Sequence, residues 1–332
     1  MKKILSEYYT IKKDWKFRKQ IEQSFKAQQT QNHGAQIQFY NWWQDDSHSR
    51  WLHDFIVLRG LLDNTNKTIA LCSVFDDKSI LEHVDTDIRI FFSGENLHNP
   101  RHAQYADYML SGKKPFDLGL GFDCFEHENY LRFPLWLTYM FAPNVTEEDI
   151  RKRCNELRFP QVDNKTKFAS LIARYDWNGV RTEIVESIKN LGFVDCPSAL
   201  LHNDDTLQNQ FKDDKTAYLM QYKFNICPEN TNAYGYVTEK LFEAISAGCI
   251  PIYWGNYNMP EDKILNKDAI LFWEKEGNNI KLLGTIKLLI TSETAYQDYA
   301  NQPRLLEGAE EIIIEYFNNL ESRIRKIIST TY

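Results

Sequence analysis

The chain has 332 residues, enough for one large or two medium-sized domains. Apolar residues make up 43% of it, which supports a packed core, and the formal net charge of −7 argues against general binding to nucleic acid. Its six cysteines include no Cys-x-x-Cys pair, which argues against a zinc site and a dense disulfide framework and indicates a reducing compartment. No run reaches the roughly 18 apolar residues of a membrane span, and the N-terminus has no signal-peptide core.

Residues 1–30 form a basic extension, with eight Lys or Arg against three Asp or Glu. The pattern around residues 15–25 predicts a helix. We expect a solvated helix that packs on the domain that follows it. The alternative interpretation is a weak attraction to an anionic membrane surface.

After this extension, short apolar runs and one helical pattern alternate, and several of the runs end in polar residues. The predicted strands are 37–40, 68–75, 87–92, 117–122 and 130–135, and the predicted helix is 50–62. A second set follows a charged stretch: helices at 147–158, 180–191, 215–221, 237–248, 278–290 and 309–328, and strands at 168–173, 222–227, 250–254 and 269–273. Both sets are typical of α/β domains.

We therefore predict an N-terminal α/β domain over residues 1–160 that includes the basic extension. A C-terminal α/β domain is predicted over 161–310 and a final helix over 309–332. The final helix carries an apolar stripe, which we expect to pack on the body of the protein.

Residues 222–255 read as strand, polar loop, helix and strand, which is a parallel βαβ unit. Ligands of such units lie beyond the carboxyl ends of the strands, where helix N-termini face phosphates. The hydroxyl of Thr238 is expected to cap the helix. Lys240 in its first turn suits a phosphate, and Glu239 suits a pair of sugar hydroxyls.

This segment closely resembles the signature of the α1,3/4-fucosyltransferases of glycosyltransferase family 10, which use GDP-fucose. The matching pieces are Phe224, Glu229-Asn230, Tyr236-Val237-Thr238-Glu239-Lys240, Ala247-Gly248, Pro251 and Gly255. The resemblance implies the GT-B architecture, in which two Rossmann-like α/β/α domains face each other across a cleft. It also implies inverting transfer of L-fucose from GDP-β-L-fucose.

The resemblance assigns Arg181 and Lys240 to the diphosphate, with Arg174 as the fallback for the arginine. A guanidinium fork suits two phosphate oxygens, and fixed cations stabilise the charge that develops on a leaving diphosphate. Asn230 and Tyr236 are expected to donate hydrogen bonds to phosphate or fucose oxygens. Glu239 is expected to accept from both ribose hydroxyls, as acidic residues do in nucleotide-binding folds.

Inversion in one displacement needs a base on the acceptor side, and Glu95 is the candidate. It follows a predicted strand, and the tripeptide Gly94-Glu95-Asn96 resembles the one that carries the proposed base in bacterial family members. Asn96, Asp123 and Glu126 are weaker candidates for contacts with acceptor hydroxyls. Loops of the first half, such as Trp42-Trp43 and residues 123–136, are expected to build the acceptor cleft.

The expected partners are GDP-fucose and an oligosaccharide acceptor. The resemblance implies the GlcNAc of an N-acetyllactosamine-type glycan or the Glc of lactose, as in Lewis x synthesis on a bacterial lipopolysaccharide. No cofactor is expected to be obligatory, although a divalent metal can stimulate such an enzyme. We expect a cytoplasmic protein, with weak peripheral contact at the inner face of the bacterial membrane; the sequence does not indicate an oligomeric state.

Two alternatives remain open. The first is a glycosyltransferase that uses a different nucleotide sugar and shares the phosphate clamp. The second is a glycan-binding protein without catalysis. Competition binding of GDP against UDP would distinguish a GDP-fucose enzyme from the first alternative. An assay of GDP release with N-acetyllactosamine would distinguish it from the second.

Overall fold

The computed structural model describes residues 2–43, 48–111 and 114–330, with the backbone alone for 2–12 and 14. Residue 1 of the predicted basic extension and residues 331–332 of the predicted last helix lie outside this description. The helices and strands are α1 (Lys2–Gln31), β1 (Ile37–Tyr40), α2 (Trp51–Leu58), β2 (Ile69–Cys72), α3 (Lys78–Leu81), β3 (Ile88–Phe92), β4 (Leu118–Gly121), β5 (Tyr130–Arg132), α4 (Trp136–Met140), α5 (Glu147–Arg158), β6 (Lys167–Ser170), α6 (Val180–Ile188), β7 (Val194–Asp195), α7 (Thr206–Asn209), α8 (Lys215–Leu219), β8 (Tyr222–Ile226), α9 (Glu239–Ser246), β9 (Ile250–Tyr253), β10 (Leu271–Phe272), α10 (Ile280–Thr291), α11 (Glu293–Ala300) and α12 (Ala309–Ser329).

The contacts between Cα atoms divide the chain into two compact units. The first unit comprises Met1–Gly121, Phe125–Arg132 and Asn319–Tyr332. The second unit comprises Phe122–Cys124 and Phe133–Asn318. Helices α4 and α5 therefore belong to the second unit by their contacts, whereas the predicted domains divide at residue 160. The boundary of independently folding domains stays a prediction.

The sheet of the first unit has the order β1-β2-β3-β4-β5, and every neighbouring pair is parallel. Strand β2 is buried along its whole length, which agrees with its apolar sequence because parallel strands are covered on both faces. Helix α1 packs on the core of this unit through Ile21 and Phe25. The carboxyl ends of all five strands lie at one edge, so the segments after β1, β2 and β3 meet there.

The sheet of the second unit has the order β10-β9-β8-β6-β7, again with parallel neighbours. The chain passes from β6 to β7 on one side and then to β8 on the other side of β6. The strand order thus reverses between β6 and β8, and in α/β sheets such a switch point opens a crevice at the carboxyl ends. The loops 171–179 and 227–238 leave the sheet at this place.

Helix α9 is fixed to the second unit by its apolar face and by its C-terminal end. Its buried face includes Phe242, whose ring stacks on Trp136 of α4 with the centroids 4.0 Å apart. Gly248 ends the helix with φ of +71°, and a Cβ at this position would lie 2.0 Å from the carbonyl oxygen of Gln161. The Nζ of the buried Lys165 donates to the carbonyl of Ala247 at the same end.

The two parallel α/β sheets confirm the predicted fold class. Each predicted strand and helix is present, usually shorter than its apolar run, and α5 has the predicted bounds. The helix predicted around residues 15–25 extends over Lys2–Gln31 instead. Five short elements were not predicted from the sequence: α3, α4, β7, α7 and α11. Across the described residues, no helix is both long and apolar enough to cross a membrane.

Candidate functional site

Two loops meet at the switch point of the second unit and are joined by hydrogen bonds. The side chain of Asn178 donates through Nδ2 to the carbonyl of Asn230 at 3.0 Å. The Nη2 group of Arg181 donates to the carbonyl of Pro228 at 3.2 Å and to Oδ1 of Asn230 at 2.8 Å. The loop after β6 and the loop after β8 therefore form one connected surface.

The guanidinium of Arg181 is buried in this surface. Its Nη1 group donates to the carbonyl of Tyr175, and burial lowers the pKa of the side chain below its usual value. An arginine keeps its charge under such conditions because its ordinary pKa is far above neutrality. The surrounding carbonyls hold the fork in place and do not neutralise it.

The N-terminus of α6 is capped by the protein itself. The carboxylate of Asp176 accepts from the backbone N–H groups of Arg181 at 3.2 Å and Thr182 at 2.8 Å, and from the Thr182 hydroxyl at 2.7 Å. Arg181 lies in the first turn of the predicted helix 180–191, where free backbone N–H groups could help to hold a phosphate. Asp176 accepts from the N–H groups of Arg181 and Thr182 instead, so the side chain of Arg181, and not the start of α6, offers positive charge to a ligand.

A buried carboxylate that the sequence analysis left without a role organises the start of α9. Glu229 is fully buried and accepts from the backbone N–H of Thr238 at 2.7 Å and from its hydroxyl at 2.6 Å. Burial raises the pKa of this carboxyl, against the nearby charge of Lys240. The expected cap was wrong: the Thr238 hydroxyl makes no cap bond, and α9 begins at Glu239 instead of near Val237.

The ammonium group of Lys240 is held among oxygen atoms. Its Nζ lies 2.9 Å from Oε1 of Glu239, 3.0 Å from the Thr238 hydroxyl and 3.9 Å from Oε2 of Glu229. Burial lowers the pKa of Lys240, but Glu239 and Glu229 outweigh this effect and the net pKa is raised. Conversely, burial pushes the pKa of Glu239 upward, while Lys240 and Lys215 bring it below its usual value. Both partners are therefore charged at neutral pH.

Arg181 and Lys240 line the same pocket, although they are far apart in the sequence. Its wall also contains Ile172 after β6 and Asn225 and Cys227 at the end of β8. Two fixed cations at the carboxyl edge of a parallel sheet suit a diphosphate, whose oxygens accept several charge-assisted hydrogen bonds. The structure brings together the two side chains that the resemblance assigns to the phosphates.

Tyr236 and Asp123 lie in a neighbouring part of the second unit. The Tyr236 ring is 2% exposed and packs edge-on against Phe122, with the centroids 5.2 Å apart. Gly235 before it has φ of +80°, and a Cβ there would lie 2.6 Å from the carbonyl oxygen of Phe122. Asp123 is the residue after Phe122 and is half-buried. The packing gives the Tyr236 ring a structural role, and its hydrogen bond to a phosphate or fucose oxygen stays a prediction.

Glu95 lies in the first unit, three residues after the end of β3, and is half-buried. Its backbone N–H donates to the hydroxyl of Ser93 at 3.1 Å, which holds the turn. Asn96 is buried and its Oδ1 accepts from the backbone of His98 at 2.9 Å. Glu126 is exposed in the same unit. The predicted base therefore lies at the carboxyl edge of the first sheet.

A pocket of about 860 Å³ opens at this same edge, lined by polar residues of α1 and by a group of aromatic rings. Trp42 and Trp43, after β1, stack with their centroids 4.4 Å apart at an angle of 15°. The Trp43 ring also lies 5.7 Å from Phe92, the last residue of β3, and 5.9 Å from Phe75, after β2. The turn that carries Glu95 follows Phe92, and exposed faces of such aromatic rings can stack on sugar rings.

The described residues contain no group of three or more His, Cys, Asp or Glu side chains that could hold a metal ion. Whether a divalent metal stimulates activity stays a prediction.

Comparison with known proteins identifies the family. Residues 162–307 match the C-terminal domain of glycosyltransferase family 10 (fucosyltransferase), and residues 37–139 match the α-(1,3)-fucosyltransferase FucT N-terminal domain. The chain belongs to glycosyltransferase family 10. Both of its units thus contain a segment that matches a domain of the same fucosyltransferase family.

Individual relatives carry related names. The α-(1,3)-fucosyltransferase FucT of Helicobacter pylori is 28% identical over 248 residues, which cover 66% of this chain and 48% of the relative. The GDP-fucose protein O-fucosyltransferase 3 of Xenopus laevis is 30% identical over 156 residues, which cover 45% of this chain and 31% of that protein. The chain therefore spans about half or less of the length of these relatives.

The fold is also shared with solved structures. An α1,3-fucosyltransferase with GDP-fucose aligns with a TM-score of 0.54 at 21% identity, over 89% of this chain and 90% of that one. A second structure of an α1,3-fucosyltransferase gives a TM-score of 0.55 at 23% identity, over 86% and 89% of the two chains. This likeness confirms the GT-B fold class.

Proposed function

We propose that this family 10 protein transfers L-fucose from GDP-β-L-fucose to the 3-hydroxyl of GlcNAc or Glc in an N-acetyllactosamine- or lactose-type glycan. The observation that carries the proposal is the pocket of the second unit in which Arg181 and Lys240 converge. The names of the relatives support a fucosyl donor, and the name of the Helicobacter pylori relative supports the α1,3 linkage.

On the donor side, the two cations stabilise the leaving diphosphate. Charge accumulates on the phosphate oxygens as the glycosidic bond breaks, so fixed cations bind the transition state more tightly than the ground state. The hydrogen bonds from Arg181 to Pro228 and Asn230 and those from Lys240 to Thr238 and Glu239 place both cations before the substrate arrives. Little reorganisation is then needed during the reaction.

On the acceptor side, Glu95 takes the proton of the attacking hydroxyl while that oxygen bonds to the anomeric carbon. GDP leaves from the opposite face, so the anomeric configuration inverts. A carboxylate that acts as general base contributes about 10²–10⁴-fold to the rate. We assign the acceptor ring to the pocket of Trp42 and Trp43, because these rings lie at the same sheet edge as Glu95.

Products of this reaction would be Lewis x-type structures, as on a bacterial lipopolysaccharide. No metal is required in this scheme, because Arg181 and Lys240 supply the positive charge, although a divalent ion can add to it.

We place the enzyme in the cytoplasm, with weak contact at the inner face of the membrane through the basic helix α1. Exposed Trp15 and Phe17 on that helix support such contact. Sedimentation with anionic vesicles tests it, and binding equal to that of neutral vesicles would contradict it.

An assay of GDP release tests the proposal. The protein is incubated with GDP-fucose and N-acetyllactosamine, lactose or a serine-containing peptide, and the linkage in the product is determined by NMR. We expect release with the disaccharides and an α1,3 linkage. The peptide is included because one relative is named a protein O-fucosyltransferase. Release with the peptide alone would contradict the proposed acceptor, and no release with any acceptor would contradict the proposed enzyme.

A further inference from the structure

The loop after β6 exposes two aromatic rings beside the phosphate pocket. Trp177 is 75% exposed and Tyr175 is 60% exposed, and their ring centroids lie 5.4 Å apart at an angle of 31°. Large exposed aromatic side chains that lie together on a protein surface commonly mark a binding site. Neither residue belongs to the signature that the fucosyltransferase resemblance covers.

The loop is held firmly by the residues that alternate with these rings. Asp176 accepts from the start of α6, and Asn178 donates to the carbonyl of Asn230 and accepts from the backbone of Val180. The carbonyl of Tyr175 itself accepts from Arg181. The side chains of Asp176 and Asn178 thus form hydrogen bonds within the protein, while the two rings are exposed to solvent. The same loop therefore carries both the anchor of the phosphate-binding arginine and the aromatic pair.

The chemistry of the pair favours a sugar over the guanine base. Guanine presents two adjacent donors, N1–H and N2–H2, which a carboxylate reads well, but Asp176, the one carboxylate of residues 174–179, caps α6. A neutral glycan has no charged group through which to bind, so apolar stacking of its ring faces contributes much of its affinity. Two exposed rings side by side form an open platform, which suits a ligand that continues past the site.

We infer that Tyr175 and Trp177 form a stacking surface for a sugar ring of the acceptor glycan. This inference rests on the proposed function and assigns a glycan contact to the second unit. The Tyr175 ring widens the surface that Trp177 provides, and the fixed loop keeps both rings in place without the entropy cost of ordering them on binding.

Kinetics with Trp177→Ala and Trp177→Phe, at saturating GDP-fucose, test the inference. We expect the alanine variant to raise the KM for N-acetyllactosamine about five- to tenfold, as the loss of an aromatic stacking contact would. The phenylalanine variant should restore most of the affinity. The Kd of GDP and of GDP-fucose, from calorimetry, should stay within about twofold of wild type in both variants, since no phosphate contact changes.

The matched control is Phe193→Ala. This ring is 67% exposed but lies directly before β7, at the amino edge of the sheet, so its loss should leave all constants unchanged. An unchanged acceptor KM in Trp177→Ala would overturn the inference while leaving the proposed function intact. A weaker GDP affinity would overturn it in favour of a base platform, and a loss confined to GDP-fucose in favour of the donor sugar. No transfer by the wild type would overturn the proposed function and the inference with it.

Discussion

Lys240 shows how a single residue combines burial with charge. Its side chain is 23% exposed, and its ammonium group is surrounded by Glu239, Glu229 and the Thr238 hydroxyl, yet the residue still lines the pocket that Arg181 shares. The two carboxylates keep it protonated, and the pocket gives it access to a ligand. Charge-assisted hydrogen bonds of this kind contribute about 1.5–3 kcal/mol each.

Replacing Lys240 with Ala should therefore weaken GDP binding by about 10- to 150-fold, which corresponds to that range of free energy. Calorimetry measures the Kd. Lys223→Ala is the control, because Lys223 lies on β8 and contacts Glu293 instead of the pocket. An unchanged affinity in Lys240→Ala would remove this residue from the phosphate site.

Glu229 should act through Lys240. Removing its charge with Glu229→Gln keeps an oxygen for the Thr238 N–H but takes away one of the two carboxylates that raise the pKa of Lys240. The lysine should then lose its proton at a lower pH. The GDP affinity of the variant should fall at a lower alkaline pH than that of the wild type.

The measurement is the Kd of GDP as a function of pH, from neutral to alkaline values. Glu186→Gln serves as the control, since Glu186 pairs with Lys189 on the exposed surface of α6. Superimposable profiles for wild type and Glu229→Gln would show that Glu229 has only a structural role.

Glu95→Gln separates donor binding from catalysis. The substitution keeps the size of the side chain and removes the base, so turnover should fall by about 10²–10⁴-fold while GDP affinity stays near the wild-type value. Initial rates of GDP release and calorimetry together give the result. Turnover within a few-fold of wild type would show that another group takes the proton.

Among the elements, helix α9 depends on how it ends. Gly248 has φ of +71°, and an added Cβ would lie 2.0 Å from the carbonyl oxygen of Gln161. Because both positions are part of the main chain, neither segment can move away without disturbing the fold around it. Gly248→Ala should lower the free energy of unfolding by about 2 kcal/mol or more. Chemical denaturation measures this change.

The control for this substitution is Gly284→Ala. Gly284 lies inside α10, and a Cβ there would meet no atom within 4 Å. Alanine should stabilise this helix by about 0.5–1 kcal/mol, because it loses less backbone entropy on folding. If both variants change stability equally, the left-handed backbone at position 248 is not what requires glycine.

The sequence predicted every strand except the two-residue β7, and most of the longer helices, because these carry apolar runs or helical apolar patterns over enough residues. Helices α3 and α7 have four residues each, too few to show a period. The Thr238 hydroxyl was misjudged because a long-range partner, Glu229, outcompetes the local cap bond. Nothing in a single sequence shows that the carboxylate at 229 is buried beneath that helix start.

Over the whole molecule, the sequence predicted two α/β halves, and the family resemblance supplied Arg181 and Lys240 as the pair for the diphosphate. Each lies in the first turn of a predicted helix, but their presence in one pocket depends on the strand order, in which β8 lies directly beside β6. The second aromatic surface, at Tyr175 and Trp177, could not be predicted, because exposure depends on which neighbours the fold supplies. Apolar sequence patterns identify strands and helices, whereas the strand order decides which of the loops that follow them lie together.

Binding of GDP should also stabilise the whole chain. A ligand that binds only the folded state adds RT ln(1 + [L]/Kd), about 2.7 kcal/mol at 100 times the Kd, so Tm should rise with GDP concentration. Thermal unfolding followed by circular dichroism gives the shift. A Tm that is independent of GDP would mean that the nucleotide does not bind the folded chain.

Calorimetric titration of the protein with GDP and with UDP tests the assignment of the Arg181 and Lys240 pocket. We expect a saturable GDP isotherm, a much weaker one for UDP, and loss of GDP binding in the double variant Arg181→Met, Lys240→Met. Equal binding of the two nucleotides, or GDP binding that survives both substitutions, would contradict the assignment of this pocket to GDP-fucose.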